Sequence, residues 1–305
     1  MIHLIDCLHL GKPGAISTAL IETSTEELIL VDSGPETVFE TTVQSIRDLG
    51  FDPKNVRHLL ITHIHLDHSG GAWRWAREYG TTLYVHPRGA PHLIKPEKLV
   101  ASAAKIFGDK MKSLWGTIEG TPAEKVSAVN DRDVLNLGGV SIEVVEALGH
   151  AQHHHAYWLP QQKALFAGDV AGVSIGHGPL IPPCPPPDLH LEAWKLSLEK
   201  IRALAPNQLY VTHFGEVTDY RRRLDELETR LNAWANWMKD QLIAHVPEDQ
   251  LVPRFEQYVI QDLLSSGVQR ADIDVYEQVD PASMSVTGLV RYWRKYHPEL
   301  VGKLS

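Results

Sequence analysis

Cysteine is scarce: the 305-residue chain has two, Cys7 and Cys184. Two lone thiols provide no disulfide framework and fit a reducing compartment. Cys184 stands between prolines with no evident base beside it, so it reads as inert rather than nucleophilic. Long apolar runs are also missing, and none approaches the ~20 residues that a membrane span needs. The opening Met1-Ile2-His3-Leu4-Ile5-Asp6 has no basic region and no small-residue cleavage site. No secretory signal is therefore expected, and the expected location is the cytoplasm. Positive charge is in deficit, with 29 Lys and Arg against 38 Asp and Glu, a net of −9. That balance weighs against nucleic acid as a partner. The length suits one large α/β domain with an appendage.

Histidine, in contrast, is plentiful at 17 residues, and its clustering matters more than its number. In Thr62-His63-Ile64-His65-Leu66-Asp67-His68-Ser69-Gly70-Gly71, three histidines and a carboxylate fall within six residues. They follow the apolar run Leu59-Leu60-Ile61, which reads as a buried strand delivering its polar tip to a sheet edge. If strand geometry persists, His63 and His65 point the same way. Asp67 and His68 then fall on a turn into a helix over Ala72–Tyr79, with Gly70-Gly71 allowing the turn. Imidazole and carboxylate together suit Zn²⁺, Mn²⁺ or Fe²⁺, and four such groups exceed what one tetrahedral ion takes from one segment. Two adjacent ions are the expectation.

Elsewhere the pattern alternates strand and helix. Strands are expected at Ala15–Glu22, Leu28–Val31, His58–Thr62, Thr81–His86, Val140–Ala147, His155–Leu159, Ala164–Ala167 and Gln208–Thr212. A helix is expected from about Glu36 to Leu49, and a helical insertion, a candidate flap, at 88–125. The proline-rich loop 179–187 is expected to precede an Asp188-capped helix with Leu191, Trp194, Leu198 and Ile201 on one face. After Asp219 the repeat becomes purely helical, with Leu224, Leu227, Leu231, Trp234, Met238 and Leu242 on one long helix to about His245. Two more helices are expected, Arg254–Leu264 and Pro281–Tyr296, the latter capped by Asp280. Plain packing is the favoured role of this tail, with a pocket cover or a homodimer contact as alternatives.

Three further strand ends supply polar groups: Gly149-His150-Ala151-Gln152-His153-His154-His155, Gly168-Asp169 and Thr212-His213. Singly, each is an ordinary rim residue. Together with the opening cluster they suffice for two ions. The ordered set, HxHxDH followed by Gly-His, Gly-Asp and Thr-His, resembles the metallo-β-lactamase-fold hydrolases over roughly residues 1–218. The resemblance implies an α/β fold, a four-layer αββα sandwich, here with a helical C-terminal extension at 219–305. It also implies that His63, His65 and His150 bind one ion, that Asp67, His68 and His213 bind the second, and that Asp169 bridges them. Asp32 matches the family's Asp-x-Gly buttress, and His154 its second, non-ligand histidine. His153 and His155 are expected outside the ligand set, either behind it or exposed. His86, His177 and His190 are expected to be bystanders.

Two such ions, zinc by first choice with iron or manganese as substitutes, can share a water and lower its pKa to about 7. The implied activity is hydrolysis of a small ester, thioester or lactone by a metal-bridging hydroxide, with Asp67 also orienting the nucleophile or passing its proton. Subfamily markers do not converge. Thr212-His213-Phe214 departs from the Gly-His-Glu-Tyr of glyoxalase II-type enzymes, and Gly172 stands where quorum-quenching lactonases carry tyrosine. The alternatives are a phosphodiesterase and a non-catalytic binding or assembly protein of the same fold.

Overall fold

A computed structural model describes residues 1–301, so the last four residues of the expected 219–305 extension lie outside the described residues. The chain divides into two compact units, the first comprising residues 1–146, 153–168 and 206–216, the second 147–152, 169–205 and the chain from Val217 onward.

In the first unit the strand β3 (Leu28–Val31) illustrates how period-two alternation sorts side chains. Leu28 and Leu30 join Phe39, Val43, Ile46 and Trp75 in a core between sheet and helices. Ile29 and Val31 join Ile142, Tyr157, Leu159 and Phe166 in a second core, between two sheets. A one-residue slip would exchange the two sets, so both cores fix the register.

The first sheet runs in chain order through β1 (Ile2–Asp6), β2 (Ser17–Glu22), β3, β4 (Val56–Leu60), β5 (Thr82–Val85) and β6 (Val126–Ala128). Its first two pairings are antiparallel and the next three parallel. The second comprises β7 (Val134–Leu137), β8 (Val140–Glu146), β9 (His155–Leu159), β10 (Ala164–Phe166), β11 (Gln208–Val211) and β12 (Gly215–Glu216). Only β10 and β11 are parallel there. The insertion is helical as expected, with helices at Ala90–Ile94, Glu97–Phe107 and Met111–Trp115.

The second unit is helical. Leu191–Leu204 buries Leu191, Trp194, Leu198 and Ile201, the stripe read from the sequence. Its cap is His190, not Asp188: the His190 ring accepts from Ala193 N–H, because the helix starts two residues later than its acid suggests. Tyr220–Ile243 buries all six residues of its predicted stripe. The next helix spans Glu248–Ser265 and so begins before Pro253 rather than after it. Proline removes one N–H bond, and burial of Leu251, Phe255 and Leu263 offsets that loss. The helix Arg270–Val279 is additional. The final long helix, Ala282–Tyr296, is not capped by Asp280. Pro281 occupies the cap position, the Glu277 carboxylate accepts from Ala282 N–H, and Asp280 accepts from the Ser285 hydroxyl instead.

Candidate metal centre

At the end of β3 the chain turns through Asp32, whose backbone is left-handed (φ 56°), a conformation aspartate tolerates better than most. Its carboxylate is buried and gathers donors from three segments. Thr62 N–H and Thr62 Oγ1 donate to it at 2.8 Å, Thr212 Oγ1 at 3.0 Å, and His68 Nδ1 lies 2.9 Å away. An ionised carboxylate only accepts, so His68 Nδ1 bears the proton and Nε2 presents its lone pair. The same contact ends β4 at Leu60: Thr62 N–H turns to Asp32 rather than to a neighbouring strand. His63 and His65 therefore lie beyond the strand, and their proximity does not come from strand alternation. His63 Nε2 is 2.9 Å from His65 Nδ1. Because the Thr62 hydroxyl donates to Asp32, it accepts from His63 Nδ1 (3.2 Å), which leaves His63 Nε2 as the lone-pair nitrogen.

Asp67 and His68 occupy a short helix, Leu66–Ser69, rather than a turn. Gly70 follows it with ordinary helical φ; a Cβ there would lie 2.4 Å from the Leu66 carbonyl oxygen, so glycine serves close approach, not a left-handed turn. His213, just past β11, donates from Nδ1 to the Ala15 carbonyl (2.8 Å). Its Nε2 then faces Asp67 Oδ2 at 3.4 Å, and His68 Nε2 is 3.6 Å from the same oxygen. One atom from each of Asp67, His68 and His213 lies within 4.8 Å of the others. Two imidazole lone pairs converging on a carboxylate oxygen require a cation among them, a proton or a metal ion.

The second unit repeats this logic with different supports. His150 Nδ1 donates to the Pro183 carbonyl (2.9 Å), and its Nε2 is 3.6 Å from Asp169 Oδ2. Gly149 sets the approach: its φ is +133°, and a Cβ would lie 2.3 Å from Trp194 Cα. The helix Leu191–Leu204 fixes both loops, since Trp194 Nε1 donates to the Val170 carbonyl (2.6 Å) and Ser197 Oγ to the Leu148 carbonyl (2.6 Å).

The neighbouring histidines hold other positions. His154 stacks on His63 with centroids 4.8 Å apart, and its Nε2 is 2.8 Å from where a Gly168 Cβ would stand. His153 Nδ1 accepts from Ile64 N–H at 3.4 Å. His155 is fully buried, which removes exposure as its reading. His86 is buried against Glu146 (3.2 Å), and burial pushes its pKa down. Both thiols are buried, with Cys7 pushed up to about 12 and Cys184 well above the usual range, so neither forms thiolate near neutrality.

Three contributors escape a reading by residue type: Thr62 and Thr212, whose hydroxyls converge on Asp32, and His9. The repeated Thr-His pattern was a visible signal for the threonines. His9 lies in the turn between β1 and β2, buried beside Trp115, within the electrostatic reach of Asp67 and His213.

Residues 11–230 match the family described as the metallo-beta-lactamase superfamily. The chain belongs to this superfamily. It is 27% identical over 209 residues to the metallo-beta-lactamase fold-containing protein ST1585 of Sulfurisphaera tokodaii, covering 67% of this chain and 74% of that one. The solved structure of ST1585 superposes with a TM-score of 0.68 at 20% identity, covering 95% of this chain and 98% of that chain, and so shows the fold. An atrochrysone carboxyl ACP thioesterase from Cryptosporiopsis is 24% identical over 211 residues, 68% of this chain but 52% of the relative. The hydroxyacylglutathione hydrolase GloC of Haemophilus influenzae is 25% identical over 154 residues, 50% of this chain and 65% of that one. The chain thus spans about half the length of the thioesterase it matches. The fold is the α/β sandwich of two mixed sheets with helices and a C-terminal helical region. Among the described residues no helix is long and apolar enough to cross a membrane.

Proposed function

We propose that this chain is a dinuclear metal-dependent hydrolase acting on a small thioester, ester or lactone. The observation that supports it most is shared by three histidines. His68, His213 and His150 each have Nδ1 committed, to Asp32, Ala15 and Pro183, so each Nε2 is left as a ligand atom. The donors, imidazole nitrogen and carboxylate oxygen, suit zinc, iron or manganese.

In this reading Asp67, His68 and His213 hold one ion, and His63, His65 and His150 the other. Asp169, in the same reading, would be the ligand shared by the two. Ions bound there would supply Lewis acidity and a water acidified to a pKa of about 7. The chain's own residues do the rest. Asp32 keeps the proton of His68 on Nδ1 and, through the Thr62 hydroxyl, that of His63 on Nδ1. Asp67, partly solvent-exposed where its neighbours are buried, is the carboxylate placed to orient a nucleophile and take up its proton. Two relatives named as thioesterase and hydroxyacylglutathione hydrolase favour a thioester among the carbonyl substrates.

The test is turnover of matched acyl-pantetheine thioester, aryl ester, lactone and bis-aryl phosphodiester panels, by chelated and metal-reconstituted protein. Metal-restored turnover of carbonyl substrates is the expected result. Phosphodiester turnover alone would replace this reading with a phosphodiesterase, and inertness of the reconstituted protein would leave a binding protein.

A further inference from the structure

The turn between β1 and β2 is built with unusual constraint for a surface connection. Leu8 and Leu10 have left-handed backbones (φ 49° and 55°), and the Asp6 carboxylate holds the turn by accepting from Leu8 N–H (3.0 Å) and Gly14 N–H (2.8 Å). Non-glycine residues stay in that region only when their surroundings over-determine them. The residue between the two leucines is His9, with 4% of its surface exposed. The same turn supplies the Ala15 carbonyl that orients His213, so His9 and that candidate ligand share one support.

Buried polar atoms ordinarily have a partner. His9 Nδ1 is buried and has none among the described residues, and neither has Trp115 Nε1. The two rings stack, with centroids 5.7 Å apart and planes 8° apart. Burial lowers the His9 pKa, which keeps the ring neutral, with Asp67 and His213 close enough to act on it in opposite directions. Trp115 ends a stretch, Gly108–Trp115, that has no buried residue. Exposed hydrogen bonds tether it, from Thr37 Oγ1 to the Leu114 carbonyl (3.1 Å) and from Thr117 N–H to Glu36 (3.2 Å). Segments held this way open at low free-energy cost.

We propose that His9 is a specificity-determining substrate contact, its Nδ1 hydrogen-bonding a hydroxyl or keto oxygen on the acyl chain, and that Trp115 covers it until substrate binds. The proposal rests on the carbonyl-hydrolase reading above. A neutral imidazole nitrogen can donate to or accept from a hydroxyl, whichever tautomer is present. A site built for such a bond discriminates strongly against the analogue that lacks it, because its own polar atom is then left unmatched.

The experiment compares 3-hydroxybutyryl- and butyryl-pantetheine on the metal-loaded full chain. The wild-type protein is expected to prefer the hydroxylated thioester in kcat/KM, and His9→Ala to lower that preference about tenfold. His9→Asn, which keeps a polar atom near the Nδ1 position, is expected to restore most of it. An equal preference in wild type and His9→Ala, or an equal loss in His9→Asn, overturns the proposal. Calorimetric binding of 3-hydroxybutyrate against butyrate separates this idea from the reaction it rests on. If neither thioester is turned over, the hydrolase reading fails, while a hydroxyl preference in binding that His9→Ala abolishes still upholds the subsite. No preference in binding overturns it. For the cover, Trp115→Ala is expected to speed modification of His9 by diethyl pyrocarbonate, with 3-hydroxybutyrate protecting; an unchanged rate rejects Trp115 as the cover.

Discussion

The Asp32 cluster of the first unit and the His150 loops of the second hold histidines by different means, although His213 of the first unit also leans on a backbone carbonyl, that of Ala15. In the first, a charged side chain is the organiser: Asp32 collects Thr62, Thr212 and His68, and reaches His63 through a hydroxyl. In the second, the backbone does the work: His150 is oriented by the Pro183 carbonyl and placed by contact of Gly149 with Trp194. A side-chain hub can be removed by one substitution with little change of shape. A packing contact can be removed only by disturbing the backbone. The lesson is that one kind of damage should appear as lost metal and the other first as lost stability.

The largest expected effect breaks the packed side. Gly149→Ala combines a strained φ with a Cβ 2.3 Å from Trp194 Cα. It should destabilise the protein by about 2–4 kcal/mol, read from denaturant midpoints. Asp32→Asn tests the other side. Its amide would present a donor where donors already point, upsetting the His68 tautomer in a nearly isosteric variant. Metal affinity should fall about 10- to 100-fold, measured by competition with a chelator, with the far-ultraviolet circular dichroism preserved. If Asp32→Asn unfolds the chain while Gly149→Ala loses only metal, the contrast between the units is reversed. Trp194→Phe is milder: it removes the donor to the Val170 carbonyl while keeping an aromatic ring. A cost of about 1–3 kcal/mol is expected, again from denaturant midpoints.

The smallest effects concern pH and sharpen the comparison by sign. Burial lowers the pKa of His86 in the first unit. The unfolded chain then binds more protons near pH 6, so this residue makes stability fall as pH drops through its unfolded value of about 6.5. Burial raises the pKa of Glu277 in the second unit. There the folded chain holds the proton more tightly, so its contribution is present in acid and lost as pH rises through the raised value. Thermal midpoints between pH 4 and 7 should flatten at the upper end in His86→Gln and at the lower end in Glu277→Gln.

Much of this was visible in the residues. The apolar runs at Leu28–Val31 and His155–Leu159 became buried strands with the expected bounds, since a strand covered on both faces leaves an uninterrupted apolar signal. The stripe from Leu224 to Leu242 was equally legible. What escaped was short or exposed. The strand β7 exposes Val134 and buries only Leu137, so it lacks the alternation that identifies a strand. Both predicted caps failed because capping depends on where a helix starts, and near Asp188 and Asp280 that was set by His190 and Pro281. At the site, the HxHxDH spacing and the strand-end His and Asp residues were readable. The repeated Thr-His pattern marked both threonines, but the convergence of their hydroxyls on Asp32 was not readable, because Thr62 and Thr212 lie 150 positions apart, just past strands of different sheets.

The most direct test is the metal content of the purified chain, by plasma mass spectrometry on wild type, His63→Ala and Asp169→Ala in parallel. About two divalent ions per wild-type chain, with loss in both variants while the circular dichroism stays folded, is the predicted result. A wild-type chain that stays metal-free after reconstitution, or variants that keep the wild-type content, would contradict the proposed centre.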